Sequence, residues 1–205
     1  MKIAKGCFGW VISPILLTLL FLLLGIYINR LFFIIFSFTF IVTIFFLIFF
    51  RDPDREIGED IIAPADGKIR DIKVNEKHCF VSIFMDVNNV HVNRMPLDGS
   101  IIEMNHFPGK HFRAWKKESD LNERVVIDIE SKIGKIRVIQ IAGLIARRIY
   151  PYIKKGDILK KGDKIGIIRL SSRVDIYLPS KKTDVSFLNI DDKVYAGTST
   201  IAKIR

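Results

Sequence analysis

Two uncharged runs fill most of the first fifty residues, 23 residues at 6–28 and 20 residues at 31–50, with only Asn29 and Arg30 between them. A helix rises about 1.5 Å per residue, so either run is long enough to cross a hydrocarbon core of about 30 Å. The second, LFFIIFSFTFIVTIFFLIFF, is apolar around its whole circumference, which suits lipid on all sides better than one face of a soluble core. A cleaved signal peptide fits poorly, because its apolar stretch runs to about 7 to 15 residues and ends at a small-residue cleavage site. Residues 1–50 are therefore expected to form a membrane hairpin of two transmembrane helices. Lys2 and Lys5 before the hairpin and Arg51 and Arg55 after it outnumber Arg30 at its tip. By the positive-inside tendency this places both the amino terminus and the body on the cytoplasmic side of the cell membrane.

The remainder, residues 51–205, carries 29 basic against 22 acidic side chains. These basic residues are scattered and do not interleave with aromatics in a run, so nucleic acid is not the expected partner. Beside a membrane anchor, attraction to the anionic headgroups of membrane lipids is the simpler expectation. Cys7 and Cys79 are far apart and have no spacing that suggests a metal site, so no metal is expected.

Pro53, in the charged stretch RDPDRE, stops the second helix from continuing. From Ile61 onward, runs rich in β-branched residues alternate with turn signals: IIAPADGKIRDIKV, HCFVSIFMD, VHVNRMPLDGSIIEM, VVIDIE and GKIRVIQIAG. Asp66-Gly67 and Asp98-Gly99 mark turns. Residues 106–124 are the least strand-like part and read as a long loop. Lys-Gly-Asp recurs at 155–157 and 161–163, closely spaced turns of the kind found in lipoyl- and biotinyl-carrier β folds. At 165–179, IGIIRLSSRVDIYLP, a serine pair interrupts two strand-like runs. Beyond it Val174, Ile176 and Leu178 alternate with Arg173, Asp175 and Tyr177, the period of a half-buried strand. The expected fold class is mainly β, a compact lipoyl/biotinyl-like β body preceded by the two-helix hairpin.

Covalent catalysis at such a junction needs a hydroxyl nucleophile, a base and a group that polarises a carbonyl. Ser171, Ser172, Asp66, His91 and Arg94 are of the right types. Each alone has an ordinary explanation: the serines and Asp66 as turn formers, His91 as a buried structural histidine.

Seven segments in order, FFRDPDREI, APADGKI, NVHVNRMPLDG, PGKHFRAW, NER, QIAGLIARRI and SRVDIYLP, resemble the short, membrane-bound phosphatidylserine decarboxylases from Phe49 to the carboxyl terminus. The resemblance implies a pyruvoyl enzyme, made as an inactive proenzyme, that converts phosphatidylserine to phosphatidylethanolamine and carbon dioxide. It implies that Ser172, followed by Arg173-Val174-Asp175, attacks the preceding carbonyl. The chain then breaks between residues 171 and 172, residue 172 becomes the pyruvoyl cofactor, and the two products stay together as a heterodimer. The substrate amine would form a Schiff base with that ketone. Asp66, in PADG, matches an aspartate that supports self-cleavage, and His91 matches a histidine linked to decarboxylation.

Two departures stand out. Ser171 occupies a position that is glycine in the family pattern, and Arg94 stands where longer bacterial members have a second histidine. The base that takes the Ser172 proton is thus open between His91 and Asp66. Lipid headgroup contacts are expected from Arg94, His106, Lys110 and His111. The chemistry agrees with the resemblance, since no amino-acid side chain offers an electrophilic ketone and a decarboxylase of this kind must borrow one or make one. Two alternatives are a pyruvoyl decarboxylase of another amine substrate and a non-catalytic membrane adaptor with a lipoyl-like domain. The adaptor would carry a lysine at a hairpin tip and need no Ser171-Ser172 junction.

Overall fold

A computed structural model describes residues 2–109, 122–143, 148–169 and 172–205. The chain divides into two compact units, Met1–Pro53 and Asp54–Arg205.

The first unit is an antiparallel pair of helices, α1 (Phe8–Tyr27) and α2 (Phe32–Phe49), both long and apolar enough to cross a membrane. Their polar side chains are satisfied inside the pair. The Thr18 and Thr43 hydroxyls lie 3.0 Å apart, and each has a carbonyl one turn back as the alternative acceptor for its single proton, Pro14 O at 2.7 Å and Thr39 O at 2.8 Å. Both threonines are buried within the pair, the arrangement that a medium without water would require of them. Backbone bonds Ala4 N to Phe50 O and Asp52 N to Lys2 O close the open end of the hairpin.

The second unit is mainly β, as the alternation predicts. Its strands are β1 (Ile61–Ile62), β2 (Gly67–Val74), β3 (His78–Met85), β4 (Val92–Arg94), β5 (Gly99–Phe107), β6 (Arg124–Ser131), β7 (Gly134–Ala142), β8 (Ile149–Pro151), β9 (Ile158–Leu159), β10 (Lys164–Ile168), β11 (Ser172–Pro179), β12 (Thr183–Asp184), β13 (Lys193–Val194) and β14 (Thr200–Ile204). Eight of them form one sheet in the order β13-β2-β3-β11-β7-β6-β5-β9, accompanied by the smaller sheets β4-β10-β8 and β1-β14-β12.

Strand β11 occupies the middle of the large sheet, paired antiparallel with β3 on one side and β7 on the other. Ser172, Val174, Ile176 and Leu178 face the core, level with Met85, Ile83, Val81 and Cys79 of β3 and with Ala142, Gln140 and Val138 of β7. On the opposite face Asp175 is also buried, which the polar half of the alternation does not suggest. It is neutralised locally, because Ser82 Oγ donates to Oδ1 at 2.6 Å and Arg173 Nη2 to Oδ2 at 2.9 Å.

Of the stretch at 106–124, read as a long loop from its composition, residues 110–121 lie outside the described residues, and its two ends are strand. His106 and Phe107 end β5, Arg124 begins β6, and they continue one ladder through the pairs His106 with Val125 and Phe107 with Arg124. A cross-strand partner outweighs weak local propensity here. The two Lys-Gly-Asp turns repeat one geometry. Gly156 and Gly162 have φ of 92° and 88°, and Lys154 N and Lys160 N donate to the Asp157 and Asp163 carboxylates at 2.9 and 2.8 Å. These turns return the chain so that β10 lies between β4 and β8.

Candidate active site

The chain leaves the small sheet at Ile168, the end of β10, and enters the centre of the large sheet at Ser172, the start of β11. The sequence-predicted junction is therefore a sheet-to-sheet crossing of three residues. Ser171 lies outside the described residues.

Ser172 is fully buried, and its hydroxyl points at the Met85 sulfur, 3.5 Å away. The same sulfur is 3.7 Å from Asn93 Nδ2, and Asn93 Oδ1 accepts a bond from Gln140 Nε2 at 2.7 Å. All four side chains are fully buried, and Gln140 Oε1 has no hydrogen-bond partner among the described residues. A polar cluster of this kind inside an otherwise aliphatic core is costly unless it is used, since a buried unsatisfied group costs about 1–3 kcal/mol.

His91 is fully buried just before β4, and its backbone carbonyl accepts from Ile168 N at 3.3 Å. It is thereby tied to the last residue of β10. Its Nδ1 is 2.9 Å from the Asn89 carbonyl, which can only accept, so Nδ1 carries the proton and Nε2 is the basic nitrogen.

Asp66 is buried in the turn that opens β2. The turn needs Gly67, because a Cβ there would come within 2.1 Å of the Phe84 carbonyl oxygen. The Asp66 carboxylate pairs with Arg55 Nη2 at 2.8 Å through Oδ2 and accepts Ala196 N at 2.8 Å through Oδ1. Strand β3 lies between β2, which follows Asp66, and β11, which Ser172 begins.

Arg94 is buried, with Nη1 donating to Gly162 O at 3.0 Å, so its side chain engages the second Lys-Gly-Asp turn. His106 Nε2 is 3.0 Å from Glu123 Oε1, which also accepts Ile149 N at 3.2 Å. Beside it Asn122 Nδ2 donates to Ala142 O at 2.7 Å, and Ala142 N to Glu123 O at 2.9 Å. Ala142 is the residue of β7 opposite Ser172, so the Asn122-Glu123 pair braces the start of β11 from the β7 side. Lys110 and His111 lie outside the described residues. Among the described residues no group of three or more His, Cys, Asp or Glu side chains is placed to hold a metal ion.

Sequence reasoning missed Met85, Asn93, Gln140 and Asn122. The available signal was polarity out of place: Gln140 is the one polar residue in VIQIA, and Asn93 follows His91 at the two-residue strand period.

Residues 42–202 match the family described as phosphatidylserine decarboxylase. A phosphatidylserine decarboxylase proenzyme of Streptomyces avermitilis is 46% identical over 158 residues, covering 76% of this chain and 70% of that protein. A protein of Methanococcoides burtonii, named "Putative archaetidylserine decarboxylase proenzyme", is 40% identical over 205 residues, 98% of this chain and 96% of its own length. A phosphatidylserine decarboxylase proenzyme of Carboxydothermus hydrogenoformans is 37% identical over 209 residues, 97% of this chain and 94% of that protein.

Proposed function

The chain belongs to the phosphatidylserine decarboxylase family, and from that membership we propose that it is a membrane-anchored proenzyme that cuts itself between Ser171 and Ser172 and then decarboxylates phosphatidylserine to phosphatidylethanolamine. The observation that carries this reading is the placement of Ser172, a fully buried hydroxyl at the crossing between two sheets. In the self-cleavage, Ser172 Oγ adds to the Ser171 carbonyl and the peptide bond becomes an ester. Elimination across Cα and Cβ of residue 172 releases a carboxylate on Ser171. Hydrolysis of the enamine that remains expels ammonia and leaves a carbonyl at residue 172.

The surroundings fit a pyruvoyl group at that position. Asn93 Nδ2 is a donor spent on a thioether, a weak acceptor, and Gln140 Oε1 is an acceptor with no partner among the described residues. Met85, Asn93 and Ala142 are the residues that would surround the group. Once formed, it supplies an electrophilic carbonyl that takes up the electron pair left when carbon dioxide departs.

The protein's own residues do the rest. His91 Nε2 is the basic nitrogen available to carry a proton to the substrate α-carbon. Asp66 supports self-cleavage by position, joining Arg55 to the Ala196 amide and holding the turn before β2. After the cut, residues 172–205 stay bound because β11 pairs with β3 and β7, β13 with β2, and β14 with β1. The α1–α2 hairpin anchors the protein in the cell membrane, with the body on the cytoplasmic side by the charge bias of its flanks.

The relative named for archaetidylserine spans nearly all of both chains, and the serine headgroup is common to the two lipids, so an archaetidylserine substrate is the second reading. Purified full-length protein should be given mixed vesicles of phosphatidylcholine and phosphatidylserine, archaetidylserine vesicles, or free serine. Phosphatidylethanolamine and carbon dioxide in equal amounts from phosphatidylserine support the proposal. Turnover of archaetidylserine alone selects the second reading, and turnover of free serine alone contradicts both.

A further inference from the structure

The amides of Asn93 and Gln140 have a use that their packing alone does not explain. A primary amide has a donor end and an acceptor end. Gln140 Nε2 occupies the acceptor end of Asn93 at 2.7 Å, so Nδ2 has to face the other way, toward the sulfur that the Ser172 hydroxyl also touches. That sulfur is a poor acceptor for either donor. Conversion of Ser172 removes its hydroxyl and leaves a carbonyl oxygen, a far better acceptor, at the same residue.

Three strands cooperate to hold this arrangement. Gln140 sits on β7 opposite Val174 of β11, so it is anchored to the strand that Ser172 begins. Asn93 sits on β4 opposite Gly166 of β10. The glycine makes room for the amide, since a Cβ at Gly166 would lie 3.1 Å from Gln140 Nε2 and 3.0 Å from Tyr150 O. The amide pair therefore joins the large sheet, through Gln140 on β7, to the small one, through Asn93 on β4, and both of its members remain in the same chain after the cut.

Resting on the pyruvoyl reading above, we propose that Asn93 is the hydrogen-bond donor to the carbonyl oxygen formed at residue 172, and that Gln140 is the positioning residue that keeps its amide turned toward that oxygen. A fixed donor at that oxygen stabilises the negative charge that develops when an amine adds to the carbonyl, so it raises the reactivity of the ketone toward amines in general. Gln140 Oε1 is left as the acceptor for an incoming N–H.

The test follows the ketone itself. Mature full-length protein in detergent is treated with methoxyamine, which condenses with the ketone and releases water, and the mass of the small chain is followed in time. Asn93→Leu should slow labelling roughly tenfold or more. Gln140→Met, which keeps the volume, and Gly166→Ala, which displaces the amide without removing a polar group, should slow it in the same direction by smaller factors. After unfolding in guanidinium all variants should label at the wild-type rate, which a defect in the amount of ketone would not allow. Wild-type labelling rates for the folded variants would overturn the proposal. Should Asn93→Leu remain uncleaved, Gln140→Met and Gly166→Ala decide by the same criterion. A wild-type small chain that takes no label even when unfolded would mean that the pyruvoyl reading, and not this refinement of it, has failed.

Discussion

Ser172 and Met85 face each other across the β3–β11 ladder, hydroxyl to sulfur at 3.5 Å, with both side chains fully buried. A thioether holds a hydroxyl weakly, so the proposed attack on the preceding carbonyl costs Ser172 little hydrogen bonding. Met85→Leu should therefore cleave and act within a few-fold of wild type. Met85→Gln offers a strong hydrogen-bonding partner at the same place and should slow self-cleavage about fivefold, the equivalent of one ordinary hydrogen bond. A time course of precursor and product on a denaturing gel distinguishes them, and equal rates for the two variants would count against a loosely held nucleophile.

His91→Ala should accumulate both cleavage products yet lose decarboxylation by a factor of about 10² to 10⁴, the usual contribution of a positioned acid or base. The ratio of processed to full-length chain, measured beside product formation, checks this. Accumulation of full-length chain alone would reassign His91 to the self-cleavage step.

On the outer face of the large sheet, Arg137 donates two bonds to the Asp128 carboxylate, at 2.6 and 2.9 Å, and Lys135 adds an ion pair at 2.8 Å. The Arg137 bonds, and then those of Lys135, hold this carboxyl below its ordinary range against the opposing effect of burial. Because the folded state lowers this group's pKa, its stabilisation is present above the unfolded value of about 3.9 and is lost as pH falls through the folded value. Asp128→Asn should cost on the order of 1 kcal/mol at pH 7, since both cationic partners are about half exposed. Thermal unfolding as a function of pH should show the gap between variant and wild type closing below about pH 4. A gap that stays constant down to pH 2 would remove the ion pair from the account.

Deleting residues 1–53 should move the protein from the membrane fraction to the soluble fraction at moderate salt, because two apolar helices bind far more strongly than a diffuse basic surface. Retention of the truncated chain on membranes after a high-salt wash would give the body an anchor of its own.

The large features of the fold were legible because each rests on a local signal. The uncharged runs fix α1 and α2 by length, and the alternation Val174, Ile176, Leu178 fixes the inward face of β11. The repeated Lys-Gly-Asp turns read correctly because glycine supplies the positive φ and aspartate the side-chain acceptor. What could not be read were partners brought together by the sheets. Nothing near Asp175 in the chain announces Ser82, and nothing near Ser172 announces Met85 or Gln140, which arrive from strands paired on either side. The strand ends at Phe107 and Arg124 were hidden for the same reason, since their ladder is set by each other and not by their own composition.

The central claim is that Ser172 becomes the reactive group, and the mass of the small chain tests it most directly. Intact-mass analysis of the purified protein should find a small chain of 34 residues, 172–205, beginning with a pyruvoyl group and so refusing amino-terminal sequencing until the ketone is aminated. Ser172→Ala should yield only full-length, inactive chain, and Ser171→Gly should still be cleaved at the same bond. A small chain beginning at residue 171, or full activity in uncleaved Ser172→Ala protein, would contradict the account.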